Sequence, residues 1–184
     1  SIDLFGKQEL AEKKLEAAIG GVSEALLKQA SELQKVTQFG DEATISAMAL
    51  LGAYVENEEQ IKKLTEPTMD LASALGMTLE QAAALVGKSI GSTTNALSRY
   101  GVTIEGAVGS TERLDSAVQG ISKRFGGQAR KQAQTITGSF EGMSMAIGDT
   151  AEKVGEELAP TFIPLMNSVK EMAIAMGENE TAIV

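Results

Sequence analysis

The chain of 184 residues contains no cysteine, no histidine and no tryptophan, and only three prolines. Without thiols there is no disulfide framework, no thiolate nucleophile and no cysteine-ligated metal. Without imidazole the usual general base and the commonest metal ligand are both missing. Chemistry would have to run on carboxylates, lysine, hydroxyls and two tyrosines. The chain is therefore read as non-enzymatic, with no catalytic, cofactor-binding or metal-binding residues and no cofactor. The longest mainly apolar run, Ala47 to Val55, is far short of the ~20 residues a membrane span needs. The first residue is Ser1 and no charged-then-apolar leader follows it, which predicts a start internal to a longer product.

Cations are scarce as well. Sixteen Lys and Arg stand against 25 Asp and Glu, a net charge of −9. Phosphate contacts need clustered cations, so no specific nucleic-acid partner is expected. What is abundant is small and aliphatic: 43% of residues are hydrophobic but only 4% aromatic. Ala, Leu and Met favour helix–helix seams over a sheet-bearing core. The predicted class is all-α, with long, amphipathic, coiled-coil-like helices flanking a small module of short capped helices.

Three parts are predicted. Residues 1–38 read as one long helix in which Leu15, Ile19, Val22, Leu26, Gln29, Leu33 and Val36 recur at alternating spacings of 4 and 3. That is a heptad seam with Gln29 as its polar knob, and Gly20-Gly21 interrupts it at about 1 kcal/mol per glycine relative to alanine. A solvated amphipathic helix has the same periodicity, but the narrow stripe favours a partner helix.

Residues 39–127 read as the short-helix module. Asp41 is the expected N-cap of its first helix, Pro67 marks a turn or kink, and Gly76 fits a left-handed helix end. Thr78-Leu79-Glu80-Gln81 is a capping box, with Met77 placed to staple onto the first turn. Gly91 ends that helix, Ser92 is expected to cap a short successor, and Ser110 caps another that Gly126-Gly127 stops.

Residues 128–184 read as a long amphipathic helix. Phe140, Met143, Ile147, Ala151, Val154 and Leu158 define a second seam. Pro160 and Pro164 follow it. Pro164 removes a helix hydrogen bond and its ring crowds the carbonyl of Pro160, so a kink is predicted near 160–164.

Apparent chemical motifs dissolve on inspection. Gly87-Lys88-Ser89 matches the end of a phosphate-binding loop, but that pattern needs glycine where Ala82 stands, and a strand before it. Asn179-Glu180-Thr181 is a glycosylation sequon of a kind frequent by accident. Lys123, Arg124, Arg130 and Lys131 bracket Gly126-Gly127 and read as a solvated hinge facing carboxylates. Glu156 and Glu157 are adjacent, about 100° apart on a helix, and cannot share a site.

Three ordered segments carry a family resemblance. The first is Leu75-Gly76-Met77-Thr78, Gln81-Ala82-Ala83 and Leu97-Ser98-Arg99-Tyr100-Gly101-Val102. The second is Phe125-Gly126-Gly127-Gln128-Ala129, running on to Thr137-Gly138-Ser139-Phe140. The third is Leu158-Ala159-Pro160-Thr161-Phe162-Ile163-Pro164-Leu165. Over about 60–176 the chain resembles a helical module of phage tail tape measure proteins. The resemblance implies a structural virion protein in the lumen or tip of a tail, made in the host cytoplasm. It also implies that the protein sets tail length while the tube polymerises and is released during genome ejection. Its implied partners are the tail tube and the tail-tip or baseplate hub.

The two seams are expected to join copies of the chain, most simply as a parallel homotrimer. The alternative is a helical coiled-coil signalling or adaptor segment of a cellular protein. That reading shares the heptads but has no need of the glycine-rich module at 76–127.

Overall fold

The computed structural model describes residues 2–135 and, beyond them, 145, 147–150, 152–157, 160 and 164. The chain divides into two compact units, one over Lys7–Ala146 and one joining Ser1–Gly6 with Ile147–Val184. Among the described residues every regular element is helical, as the composition predicts. The elements are α1 (Ile2–Ile19), α2 (Glu24–Gln34), α3 (Asp41–Gly52), α4 (Glu58–Leu75), α5 (Leu79–Gly91), a 3₁₀ helix (Ala96–Tyr100), α6 (Thr111–Phe125) and α7 (Gln128–Ala133).

The single N-terminal helix is not there. Gly20 takes φ +80°, and its N–H and that of Gly21 both donate to the Glu16 carbonyl, at 2.9 and 3.1 Å. This is a helix-terminating arrangement that L side chains rarely adopt. Two residues on, the Ser23 hydroxyl accepts the Leu26 N–H at 3.1 Å and starts α2. A stop signal followed at once by a start signal outweighs the heptad spacing that runs through both.

Two apolar clusters hold the unit of residues 7–146 together. Ala11 and Leu15 of α1 pack with Leu26 and Ala30 of α2, Ile45 and Met48 of α3, and Ile61 of α4. The larger cluster joins Leu33, Ala47, Leu51, Leu64, Met69, Leu71 and Ala72 to the α5 face and to Leu97, Leu114, Ala117, Ile121 and Ala129. The boundary expected at 38/39 therefore divides nothing, because α2 shares its cluster with α3 and α4. The one at 127/128 is no better: Ala129 of α7 is fully buried against the same core as α4 and α6.

Helix α4 is the hub, with buried residues from Ile61 to Ala72 on most of its faces. Pro67 lies inside it, buried, rather than at a turn. Packing on the surrounding helices offsets the ~3 kcal/mol a mid-helix proline costs. Nearby Thr65 and Thr68 turn their hydroxyls back to the carbonyls of Ile61 and Leu64, at 2.8 and 2.7 Å, which makes both tolerable in the interior.

Several caps fall where the sequence puts them. Thr78 and Gln81 form the reciprocal capping box, Ser110 accepts the Arg113 N–H at 3.1 Å, and Gly76 sits at φ +63°. Others move. Gly40, not Asp41, is the N-cap of α3, and Asp41 stands in its first turn. Asn95, not Ser92, caps the 3₁₀ helix, while the Ser92 hydroxyl donates to the Lys88 carbonyl at the end of α5.

Candidate functional site

The candidate site is the pair of apolar seams. Of the first, Leu15, Leu26 and Leu33 are buried within the chain itself, in two different clusters. Ile19 is half-buried beside them. Gln29 is tied to α4, its Nε2 donating to the Lys62 carbonyl at 3.2 Å. Only Val22 (70% exposed) and Val36 (41%) face outward. The partner helices expected to cover this stripe are supplied by the same chain: the break at Gly20 lets α2, α3 and α4 cover it. Leu15, Leu26 and Leu33, buried in this arrangement, are not available to a neighbouring copy.

The second seam differs. Residues 147–150 and 152–157 are helical, and within them Ile147 (67% exposed) and Val154 (47%) are seven residues apart on one face. Phe140, Met143 and Leu158 lie outside the described residues. Pro160 and Pro164 are helical and exposed, but the residues around them are not described, so the predicted kink also lies outside. Glu156 and Glu157 are exposed, as a solvated face requires.

All four cations of the basic cluster are exposed, and one of them meets a carboxylate of the chain itself. Arg130 pairs with Glu66 of α4 through Nε at 2.7 Å. That hydrogen bond, and then the carboxylate's charge, hold the guanidinium above its ordinary pKa. Asp70 of α4 accepts the N–H of Gly127 and of Ala129, each at 2.9 Å, and so pins the glycine turn. Lys123 and Arg124 occupy the last turn of α6, where cations suit the negative end of the helix dipole. The Arg124 guanidinium lies over the Phe125 ring, 6.0 Å from its centroid. Lys131 is exposed.

The Gly87-Lys88-Ser89 triplet is helical and structural. The Ser89 hydroxyl donates to the Leu85 carbonyl at 2.9 Å. A β-carbon at Gly87 would overlap the Tyr54 ring, and one at Gly91 would lie 2.6 Å from its Cδ1. The two glycines, four apart, make the shallow groove in which that ring rests.

Two polar residues that organise the unit escape a reading by motif. Arg113 is buried, at 6% exposure, and its guanidinium donates to the carbonyls of Ser89, Ile90, Ser92 and Gly106. Asp70 is equally buried, at 5%. The available signal was position, since Arg113, Ala117 and Ile121 lie four apart on one stripe and Asp70 sits between Met69 and Leu71.

Among the described residues no group of three or more acidic side chains is placed to hold a metal ion. No helix among them is long and apolar enough to cross a membrane. Comparison with protein-family models, with curated proteins and with solved structures found no match.

Proposed function

We propose that the chain is a structural, non-enzymatic segment of a phage tail tape measure protein, carried in the lumen or tip of the tail. The observation that carries the reading is the ordered set of three segments over about 60–176. Two of them coincide with helix junctions: Leu75–Thr78 joins α4 to α5, and Phe125–Ala129 joins α6 to the short α7. In this reading the parent protein sets tail length, meets the tail tube and the tip or baseplate hub, and leaves the tail with the genome. Peptides of residues 7–135 are then expected in purified virions and are depleted at least tenfold from tails that have ejected their DNA. Retention of these peptides in emptied tails, or their absence from virions, sinks the proposal. Finding the chain in cells that make no tails would favour the signalling or adaptor alternative.

Self-association belongs to the second seam in this proposal, with a homotrimer as the simplest arrangement. It is supported by the exposure of Ile147 and Val154 one heptad apart. Ile147→Lys with Val154→Lys places two charges on that face. If copies meet there, the pair lowers the sedimenting mass to that of a single chain while far-UV circular dichroism stays unchanged. An unaltered oligomer removes the second seam from the interface.

A further inference from the structure

Residues 7–19 of helix α1 are attached through few side chains. Within residues 7–19 only Ala11 and Leu15 are buried, and Ile19 is half-buried beside them. The buried side chains that share their cluster lie on other helices: Leu26, Ala30, Ile45, Met48 and Ile61. The corner that folds α1 back is loosely built. A cleft of about 270 Å³ opens between Ile19–Ser23 and Gly52–Glu58, and Val22 stands 70% exposed beside it. Gly20 holds φ +80°, and neither Gly20 nor Gly21 has a neighbour within 4 Å of where a β-carbon would stand. Alanine at Gly20 is thus opposed by backbone conformation and not by crowding.

The register across this corner is unbroken. Leu15, Ile19, Val22 and Leu26 keep the 4, 3, 4 spacing, so straightening the hinge yields one helix with Val22 on the apolar face. A chain that opens there while α2 stays docked would present α1 to the vacated groove of another molecule.

We propose that α1 is an exchangeable arm, which two copies of this chain swap by straightening at Gly20-Gly21. Each arm then docks through Ala11, Leu15 and Ile19 on the partner's copy of the groove it covers at home. The contacts of Ala11, Leu15 and Ile19 are recovered in the exchange, so for residues 7–19 the balance is set at the hinge, as short hinge loops generally set it. Two features oppose opening: the Ser23 cap on α2, and the Ser23 hydroxyl donating to Glu58 at 2.6 Å. Two favour it: helix formation through the hinge, and burial of Val22 against the facing helix. The proposal does not depend on the tail reading, because it rests on the hinge and the groove alone.

The absence of cysteine gives a clean test. A β-carbon on Gly52 would lie 3.4 Å from that of Ala18, about 0.1 Å below the ~3.5–4.5 Å a disulfide accommodates and within reach of a small backbone shift. In the closed chain, Ala18→Cys with Gly52→Cys forms an intramolecular bond; in the swapped pair the same two cysteines join different chains. Full-length protein carrying both cysteines is prepared with and without nitrogen-15, mixed while reduced, and oxidised. The bridged peptide is then weighed.

With the native hinge the bridge is expected mainly within one chain, with a mixed-isotope fraction that rises with protein concentration. Gly20→Ala with Gly21→Ala favours the continuous helix roughly thirtyfold and should make the mixed-isotope bridge predominate. Ser23→Ala should add about a further fivefold. A bridge of single isotope in both hinge backgrounds, over a hundredfold range of concentration, overturns the proposal. The native-hinge series decides the matter even if the alanine pair folds poorly.

Discussion

Replacing Arg113 with Met should cost the fold about 3–5 kcal/mol, since each buried acceptor left unsatisfied costs about 1–3 kcal/mol and several carbonyls lose their donor together. The guanidinium makes five hydrogen bonds of 2.7–3.2 Å to four backbone carbonyls. Ser89, Ile90 and Ser92 lie at the end of α5, where a helix leaves its last carbonyls without intrahelical partners. Gly106 belongs to the loop before α6, and a β-carbon there would sit 2.7 Å from the Arg113 nitrogen. One side chain therefore fastens the end of α5, the loop and the start of α6.

The positive charge is tolerated at 6% exposure because the carbonyls of Ser89, Ile90 and Ser92 are the negative end of the α5 dipole. Methionine fills similar volume but donates nothing, so the four carbonyls must find water or remain unpaired. Arg113→Lys keeps the charge but not the planar fork, and should lose about half as much. The check is urea and thermal unfolding, with a fall of roughly 6–20 °C expected for Arg113→Met. Lys123→Met, on the exposed side of the same helix, should stay within about 0.5 kcal/mol. If Arg113→Met instead unfolds within about 1 kcal/mol of the parent, water serves these carbonyls equally well.

The contrast between Arg113 and the caps marks what a sequence of this kind makes legible. Thr78-Leu79-Glu80-Gln81, Ser110 and Gly76 are local devices, whose partners lie within four residues, and each appears where its residues predict. Arg113 reaches Ser89 across 24 residues, and Asp70 reaches Ala129 across 59. No local spacing encodes such pairs. The only trace is a charge on an otherwise apolar stripe, which a reader of periodicity is inclined to pass over.

The first seam failed for a related reason. Spacings of 4 and 3 state that a helix has one greasy face, but not whether the covering helix belongs to the same chain. Gly20-Gly21 followed by Ser23 held the answer, because a left-handed glycine end and a hydroxyl cap together specify a turn. Weighed as a helix penalty of about 1 kcal/mol per glycine, the pair looked tolerable; as a stop signal it was decisive. Pro67 is the reverse case, in which a strong local breaker lost to packing around α4. Local rules held where the chain was free to follow them and yielded where several helices met.

Asp70 gives the second large effect, and it concerns how a very short helix survives. α7 has six residues, too few to hold helical structure alone in water. Its N-cap position is Gly127 at φ +79°, which has no side chain to offer. The missing cap is supplied from α4: Asp70 Oδ2 accepts the Gly127 N–H and Oδ1 the Ala129 N–H. A carboxylate accepting amide hydrogens at a helix start is favoured both as a charged acceptor and by the dipole. Asp70→Ala leaves both N–H groups without their acceptor, that of Ala129 in a fully buried position. The expected loss is about 2–4 kcal/mol. Asp70→Asn keeps one good acceptor and should fall between Ala and the parent.

The distinguishing readout is local. In Asp70→Ala, hydrogen exchange at the amides of 127–133 should speed by at least about thirtyfold, the equivalent of ~2 kcal/mol, while α5 and its capping box keep their protection. Arg130, whose Nε pairs with Glu66 one turn away on α4, is a second tie on α7, but an exposed one worth at most about 1 kcal/mol. Arg130→Met should therefore leave the 127–133 amides protected within about tenfold. If the two variants loosen α7 equally, the buried carboxylate is not what seats the helix, and the fastening must be assigned to the packing of Ala129 alone.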